Sequence, residues 1–146
     1  MKQTSALEVG LVVQNLDAML AFYQEVLGCV EVRRADIPPA LSAGIAVHPD
    51  GYTNVWLQTP NAEVIKLVAP PAAPVNPGHP ANSAERTGFA YLTFYCEQIE
   101  AVLATAEAAG ATVRSERAYL SGDIGVKMVF FEDPEGNVIE LVERVT

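Results

Sequence analysis

The amino-acid sequence predicts an α+β fold built of two tandem β-α-β-β-β modules, and three observations carry that prediction. A five-residue apolar strand occurs twice in nearly the same form. Val64-Ile65-Lys66-Leu67-Val68 and Val138-Ile139-Glu140-Leu141-Val142 lie 74 residues apart and differ only at the centre. An amphipathic helix also occurs twice, at an offset of 83. Between the halves, five prolines from Pro70 to Pro80 stand among Ala, Asn and Gly, the composition of a connection. The 146 residues are thus expected to form one domain, with modules 5–70 and 87–145 joined by a linker over 70–86.

Each module opens with a strand, Ala6 to Val13 and Phe89 to Tyr95. In the first helix Leu16, Met19, Leu20, Tyr23, Val26 and Leu27 recur at the i, i+3, i+4, i+7 spacing of an apolar stripe. Asn15 offers an N-cap and Gly28 a C-terminal stop. Ile99, Val102, Leu103, Ala106 and Ala109 repeat the stripe, and Gly110 ends it. Three strands then follow in each module. They are Cys29 to Ala35, Thr53 to Thr59 and Glu63 to Ala69 in the first, then Ala111 to Glu116, Gly125 to Glu132 and Asn137 to Glu143 in the second. Asp133-Pro134-Glu135-Gly136-Asn137 carries turn chemistry between the last two. The first copy is longer, and Ile37 to Pro49 is expected to absorb the excess as loop.

Composition excludes several functional classes. Half the residues are apolar, enough for a packed core and too many for intrinsic disorder. The longest uncharged apolar run, Gly88 to Cys96, falls well short of the ~20 residues that cross a bilayer. No membrane association is therefore expected. Eighteen acidic against nine basic side chains give a net charge of −9, which phosphate backbones repel, so no nucleic acid is expected as partner. Cys29 and Cys96 lack CxxC spacing and stand in apolar strand contexts. They read as reduced core thiols of a cytoplasmic protein.

Strand alternation selects the side chains that face away from the helices. With Ile65/Leu67 and Ile139/Leu141 under the helices, Lys66 and Glu140 point the other way. Reflection across the two hairpins adds Asn54, Trp56 and Gln58 on one side, Met128, Phe130 and Glu132 on the other. In the opening strands Leu7/Val9/Leu11 and Leu92/Phe94 form the core set, which leaves Glu8 and Gly10, then Tyr91 and Thr93, on the open face. Apolar walls with a few converging polar groups suit a small-molecule ligand.

The paired modules resemble one family. So do Phe22-Tyr23 shortly before Leu27-Gly28 and the ending Phe131-Glu132-Asp133-Pro134-Glu135-Gly136-Asn137-Val138-Ile139-Glu140-Leu141. It is the vicinal-oxygen-chelate superfamily, which includes glyoxalase I, methylmalonyl-CoA epimerase, extradiol dioxygenases, fosfomycin-modifying enzymes and bleomycin-binding proteins. The resemblance implies a glyoxalase-like cupped mixed sheet with helices outside, and a homodimer. It also implies that metal-using relatives draw His or Gln, Glu, His and Glu from four strand positions. In this sequence those positions carry Glu8, Lys66, Tyr91 and Glu140. Only Glu140 matches in type.

A lysine ammonium has no lone pair to give a cation. The expectation is therefore a site without metal or other cofactor, Lys66 taking the cation's electrostatic place. A divalent metal at Glu8 and Glu140 is the lesser alternative. His48 and His79 lie outside the ligand strands. On this reading the protein is a lyase or isomerase that moves a proton next to a substrate carbonyl. Glu8 or Glu140 is then the base, Lys66 steadies the enolate and Tyr91 donates a hydrogen bond. Asn54, Trp56, Gln58, Thr93, Met128 and Phe130 would bind substrate. The alternative is a non-catalytic protein that holds an aromatic or drug-like molecule among Trp56, Tyr91, Met128 and Phe130. An extradiol dioxygenase does not fit, because its iron needs histidines that these positions lack.

Overall fold

The computed structural model describes residues 1–116 and 124–145. Two compact units divide the chain, Met1–Val75 and Asn76–Thr146, and each carries its own four-stranded mixed sheet.

In the first unit the elements run β1 (Glu8–Val12), α1 (Leu16–Glu25), β2 (Val30–Ile37), α2 (Pro39–Gly44), β3 (Tyr52–Gln58) and β4 (Val64–Ala69). The sheet order is β1-β4-β3-β2, with β1 parallel to β4 and the other pairs antiparallel. Asn15 caps α1 as expected, its side-chain oxygen accepting from the Ala18 amide at 3.1 Å. Met19, Phe22 and Tyr23 leave the helix on the buried side, α1 lies against β4, and Val55, Leu57, Ile65 and Leu67 of the sheet are buried as well. Phe22 and Tyr23 also meet edge to face at 6.0 Å.

The second unit runs through a 3-10 turn (Ser83–Glu85), β5 (Leu92–Tyr95), α3 (Ile99–Ala108), β6 (Thr112–Val113), β7 (Val126–Glu132) and β8 (Val138–Arg144). Its order, β5-β8-β7-β6, repeats that of the first sheet, again with the opening strand parallel to the last. Ile99, Leu103 and Ala106 are the buried side of α3, which lies against β8, and Val129, Phe131, Ile139 and Leu141 of the sheet are buried as well. No side chain of its own caps α3. The Glu143 carboxylate reaches over from β8 and accepts from the amides of Gln98 and Ile99 at 3.3 and 3.1 Å.

Several expectations need correction. Ile37 to Pro49 is not all loop: Pro39–Gly44 is a short helix, with Pro at its first helical position, where its missing amide costs nothing. The buried Ser42 hydroxyl donates to the His48 carbonyl at 2.6 Å and accepts from its amide at 3.1 Å, tying the helix to the following turn. Leu7 is not core. It precedes β1 and is 73% exposed, whereas Val9 and Leu11 are half-buried. The strand expected from Phe89 begins only at Leu92, leaving Phe89 exposed and Tyr91 just outside it. The strand expected over Ala111 to Glu116 shrinks to Thr112–Val113, after which the Arg114 and Ser115 amides both turn to the Phe130 carbonyl.

The hairpin turns repeat as well, each with a proline at its second residue. In Asp133–Asn137 the Asp133 amide donates to the Asn137 carbonyl, and the Gly136 amide to the Asp133 carbonyl. In the first unit Thr59 and Glu63 make the first of these bonds, Ala62 and Thr59 the second. Gly136 sits at φ +85° and Ala62 at φ +74°, so the first turn puts an alanine in the left-handed region.

Candidate functional site

The face of the first sheet away from its core is laid out in cross-strand rows. Glu8, Val64, Gln58 and Val30 form one row; Gly10, Lys66, Trp56 and Arg33 the next; Val12, Val68, Asn54 and Ala35 the third. Strand alternation thus places Glu8, Asn54, Trp56, Gln58 and Lys66 together, as the sequence predicts. The Lys66 ammonium lies 3.1 Å from a Glu8 carboxylate oxygen, one row away, and both side chains remain partly exposed. The pair is attractive but screened by water.

Arg33 is a residue that strand alternation did not point to. Read without interruption, β2 puts Val30, Val32 and Arg34 on one side. The register slips between Glu31 and Arg33, so Val32 is an extra residue and Arg33 stands opposite Trp56. Its guanidinium carbon lies 4.6 Å from the centroid of the Trp56 ring, a cation–π contact. Arg34, displaced to the other side, is held by Glu31 through two bonds of 2.9 Å. Among the described residues Arg33 has no carboxylate partner, so Trp56 stands between one neutralised cation and one open one.

Asn54 completes this face. Only 5% of it is exposed, and its side-chain carbonyl oxygen is buried without a hydrogen-bond partner among the described residues. A buried polar atom left this way is costly, and such atoms are uncommon in folded proteins.

The second sheet gathers Thr93, Met128, Phe130 and Glu140 on one face, with Tyr91 just before β5 packed against it. Thr93 and Phe130 lie opposite Glu140 on either side. The Thr93 hydroxyl donates to the Glu140 carboxylate at 2.6 Å, and the Tyr91 and Phe130 rings meet edge to face at 5.2 Å. Val138 and Val142 share this face and are buried, so Glu140 stands between apolar neighbours. Beside them Glu132 is held by Arg114 at 2.8 Å. Arg114 also donates to the carbonyls of Pro80 and Ala81 at 2.5 and 2.6 Å, fastening the proline-rich segment to this sheet.

Of the four positions at which the resemblance implies metal ligands, Glu8 and Lys66 lie in the first unit and Tyr91 and Glu140 in the second. The Glu8–Lys66 pair does not fit a divalent cation. Lys66 offers three N–H donors and no lone pair, and its charge already answers the Glu8 carboxylate. Among the described residues no three His, Cys, Asp or Glu side chains gather in one place. Cys29 and Cys96 are free thiols, both pushed up to about 11 by burial, with Glu143 and Glu100 adding to the effect at Cys96. They are poor nucleophiles at neutral pH. Among the described residues no helix is long and apolar enough to cross a membrane.

Comparison with known proteins agrees with this architecture. A curated relative, Glyoxylase I 4 of Arabidopsis thaliana, is 28% identical over 139 residues, which cover 94% of this chain and 70% of that protein. A glyoxalase family protein from Bacillus cereus superposes with a TM-score of 0.82 at 19% identity, over 99% of this chain and 97% of that one. The fosfomycin resistance protein FosX of Listeria monocytogenes, crystallised with Mn(II) and sulfate, superposes at 0.63 with 13% identity, over 97% and 93%. At these identities the structural likenesses speak for the fold. The family model for the Glyoxalase/Bleomycin resistance protein/Dioxygenase superfamily matches residues 6–141, through both β-α-β-β-β modules, and the chain belongs to that superfamily.

Proposed function

We propose that the protein is a lyase or isomerase that moves a proton next to the carbonyl of a small organic substrate, without a divalent metal, on the face built by β1, β3 and β4. The observation that carries this reading is the Glu8–Lys66 pair at 3.1 Å, partly open to solvent beside Trp56. A carboxylate and an ammonium side by side are the two groups that enolate chemistry needs. The Glu8 carboxylate takes the proton from carbon, and the electron pair of that C–H bond moves onto the carbonyl oxygen. The Lys66 ammonium faces the oxyanion that develops there. Return of a proton to the opposite face of the same carbon completes an epimerisation, and its return to the former carbonyl carbon, with the proton of an adjacent hydroxyl passing to the first carbonyl oxygen, completes a carbonyl shift. What supports a metal-independent route is the chemistry of Lys66 itself, a fixed positive charge where a chelating carboxylate would otherwise stand.

Proton wash-out in D2O, followed by NMR, tests the proposal with hydroxyacetone, dihydroxyacetone, pyruvate and 2-oxobutyrate as probes. At least one probe is expected to lose its carbonyl-adjacent protons faster than in buffer. Glu8→Gln and Lys66→Met should each slow that loss by two orders of magnitude or more. Wash-out no faster than buffer for every probe, or wash-out indifferent to Glu8→Gln, overturns the reading.

One observation favours a second reading, passive binding. The same ion pair turns both charges upon each other, and a buried or half-buried pair can persist with no catalytic use. Quenching of Trp56 emission by a probe whose protons never exchange would select it.

A further inference from the structure

We infer that Arg33, stacked on Trp56 and one cross-strand row from Asn54, forms a carboxylate-binding subsite, and that its ligand is a small hydroxy acid. The inference deepens the proposed function, since it names the ligand class of the same sheet face, and it rests on that reading only for the identity of the face.

Two independent observations converge here. The first is an imbalance of charge. Lys66 is answered by Glu8 at 3.1 Å and Arg34 by Glu31 at 2.9 Å, while Arg33 meets no carboxylate among the described residues. A guanidinium presents its donors as a planar fork that matches a carboxylate with two parallel bonds. Stacking on Trp56 at 4.6 Å holds that plane in place and reduces the freedom an anion would otherwise have to remove. Arg33 also covers one face of the Trp56 ring. A ligand is therefore gripped through its charge, and an aromatic group has no access to that side of the indole.

The second observation is Asn54. Its side-chain oxygen is an acceptor with no donor, on a residue 95% buried by its 5% exposure, and it lies on the same face, two residues along β3 from Trp56. An acceptor needs an O–H or N–H. A carboxylate alone cannot supply one, but a hydroxyl elsewhere on the ligand can. Anion at Arg33 and hydroxyl at Asn54 together specify a hydroxy acid over a simple acid, an ester or a neutral alcohol.

Trp56 is the single tryptophan of the chain, so its emission reports on this face alone. The probes are DL-lactate and DL-3-hydroxybutyrate, their methyl esters, and propionate and butyrate as acids without a hydroxyl. Fluorescence titration and calorimetry are expected to show at least one hydroxy acid binding tenfold or more tighter than its ester and fivefold or more tighter than the plain acid. Arg33→Gln should erase the preference for acid over ester and leave the fold intact, since the side chain is exposed. Asn54→Val should erase the preference for the hydroxyl while keeping that for the charge. Equal binding of acid and ester, a preference that survives Arg33→Gln, or binding by none of the six probes overturns the inference. Hydroxy-acid binding without proton wash-out from any carbonyl probe leaves the subsite standing and removes the catalytic proposal. Wash-out with no acid preference does the reverse.

Discussion

Asn54 is costly to the fold as it stands. Its orphaned oxygen gave up water on burial and gained no partner. Replacing it with valine, which suits a strand, is expected to raise stability by about 1 kcal/mol, because the unsatisfied group disappears and the strand surface stays filled. A urea midpoint that rises at constant slope is the measurement. A midpoint that falls would mean that the amide makes a contact worth more than its desolvation. The two thiols test burial in another way. Burial pushes both up to about 11, so alkylation of Cys29 and Cys96 by iodoacetamide should be slow at pH 8 and accelerate only toward pH 11. Rapid labelling at pH 8 would show that neither thiol is shielded in solution. Strand alternation identified Asn54 as facing away from the core. It carried no sign that the amide would end without a partner, since that depends on what stands in the rows beside it.

The duplicated hairpin turn sets local geometry against sequence. Ala62 occupies φ +74°, where a side chain crowds the backbone by roughly 1–2 kcal/mol, while Gly136 fills the same place in the other copy at φ +85°. Ala62→Gly is expected to stabilise the protein by about 0.5–1 kcal/mol, the relief being partly offset by the freer unfolded chain. The thermal midpoint should rise by about 1–4 °C. In the second turn the strain is absent and the side-chain bonding is denser. Asp133 is buried and accepts from the amides of Glu135 and Asn137 and from the Asn137 side chain, at 2.9 to 3.1 Å. Asp133→Ala leaves those donors unanswered and is expected to cost about 2 kcal/mol, read as a lower urea midpoint. The sequence showed this turn plainly, because Asp-Pro-x-Gly-Asn is turn chemistry by composition. It placed the Thr59–Glu63 connection between two strands, but not its likeness to the second turn, because Pro60 repeats Pro134 while Ala62 stands where Gly136 does. The α3 cap was hidden too: Gln98 has no capping side chain, and Glu143 serves from a strand 45 residues away.

Across the whole molecule, acid is the condition that reaches most of the ion pairs together. Arg34 holds the Glu31 carboxyl below its ordinary value, and Lys127 does the same for Glu100. At Glu63 the cause is hydrogen bonding from Thr59 and Asn61. A carboxyl lowered by folding contributes stability that is present above its unfolded value and lost as pH falls through its folded one. The thermal midpoint is therefore expected to decline as pH drops below about 4.5, with each contribution small because Glu63 and Glu100 are exposed and Glu31 is half-buried. A midpoint unchanged from pH 6 to pH 3 by calorimetry would show that these pairs do nothing in solution. Lys127 shows the opposite sign. Its ammonium is raised by Glu100 and Glu143, and its contribution disappears only as pH climbs past the ordinary lysine range.

Much was determined by the sequence alone. The twin strands around Lys66 and Glu140, the two apolar helix stripes and the proline-rich join are local periodicities, and they specify two β-α-β-β-β units because burial of one face leaves each strand a single choice of side. The same alternation found Glu8, Trp56, Lys66, Thr93 and Glu140 without a structure. The tertiary fold decided what no local pattern encodes. The extra residue Val32 turns Arg33 toward Trp56, Glu8 rather than another acid meets Lys66, and the Asn54 oxygen is left without a donor among the described residues. Bulges, ion pairs and orphaned atoms all depend on which residue stands across from which, and that register is set only when strands distant in the chain come together.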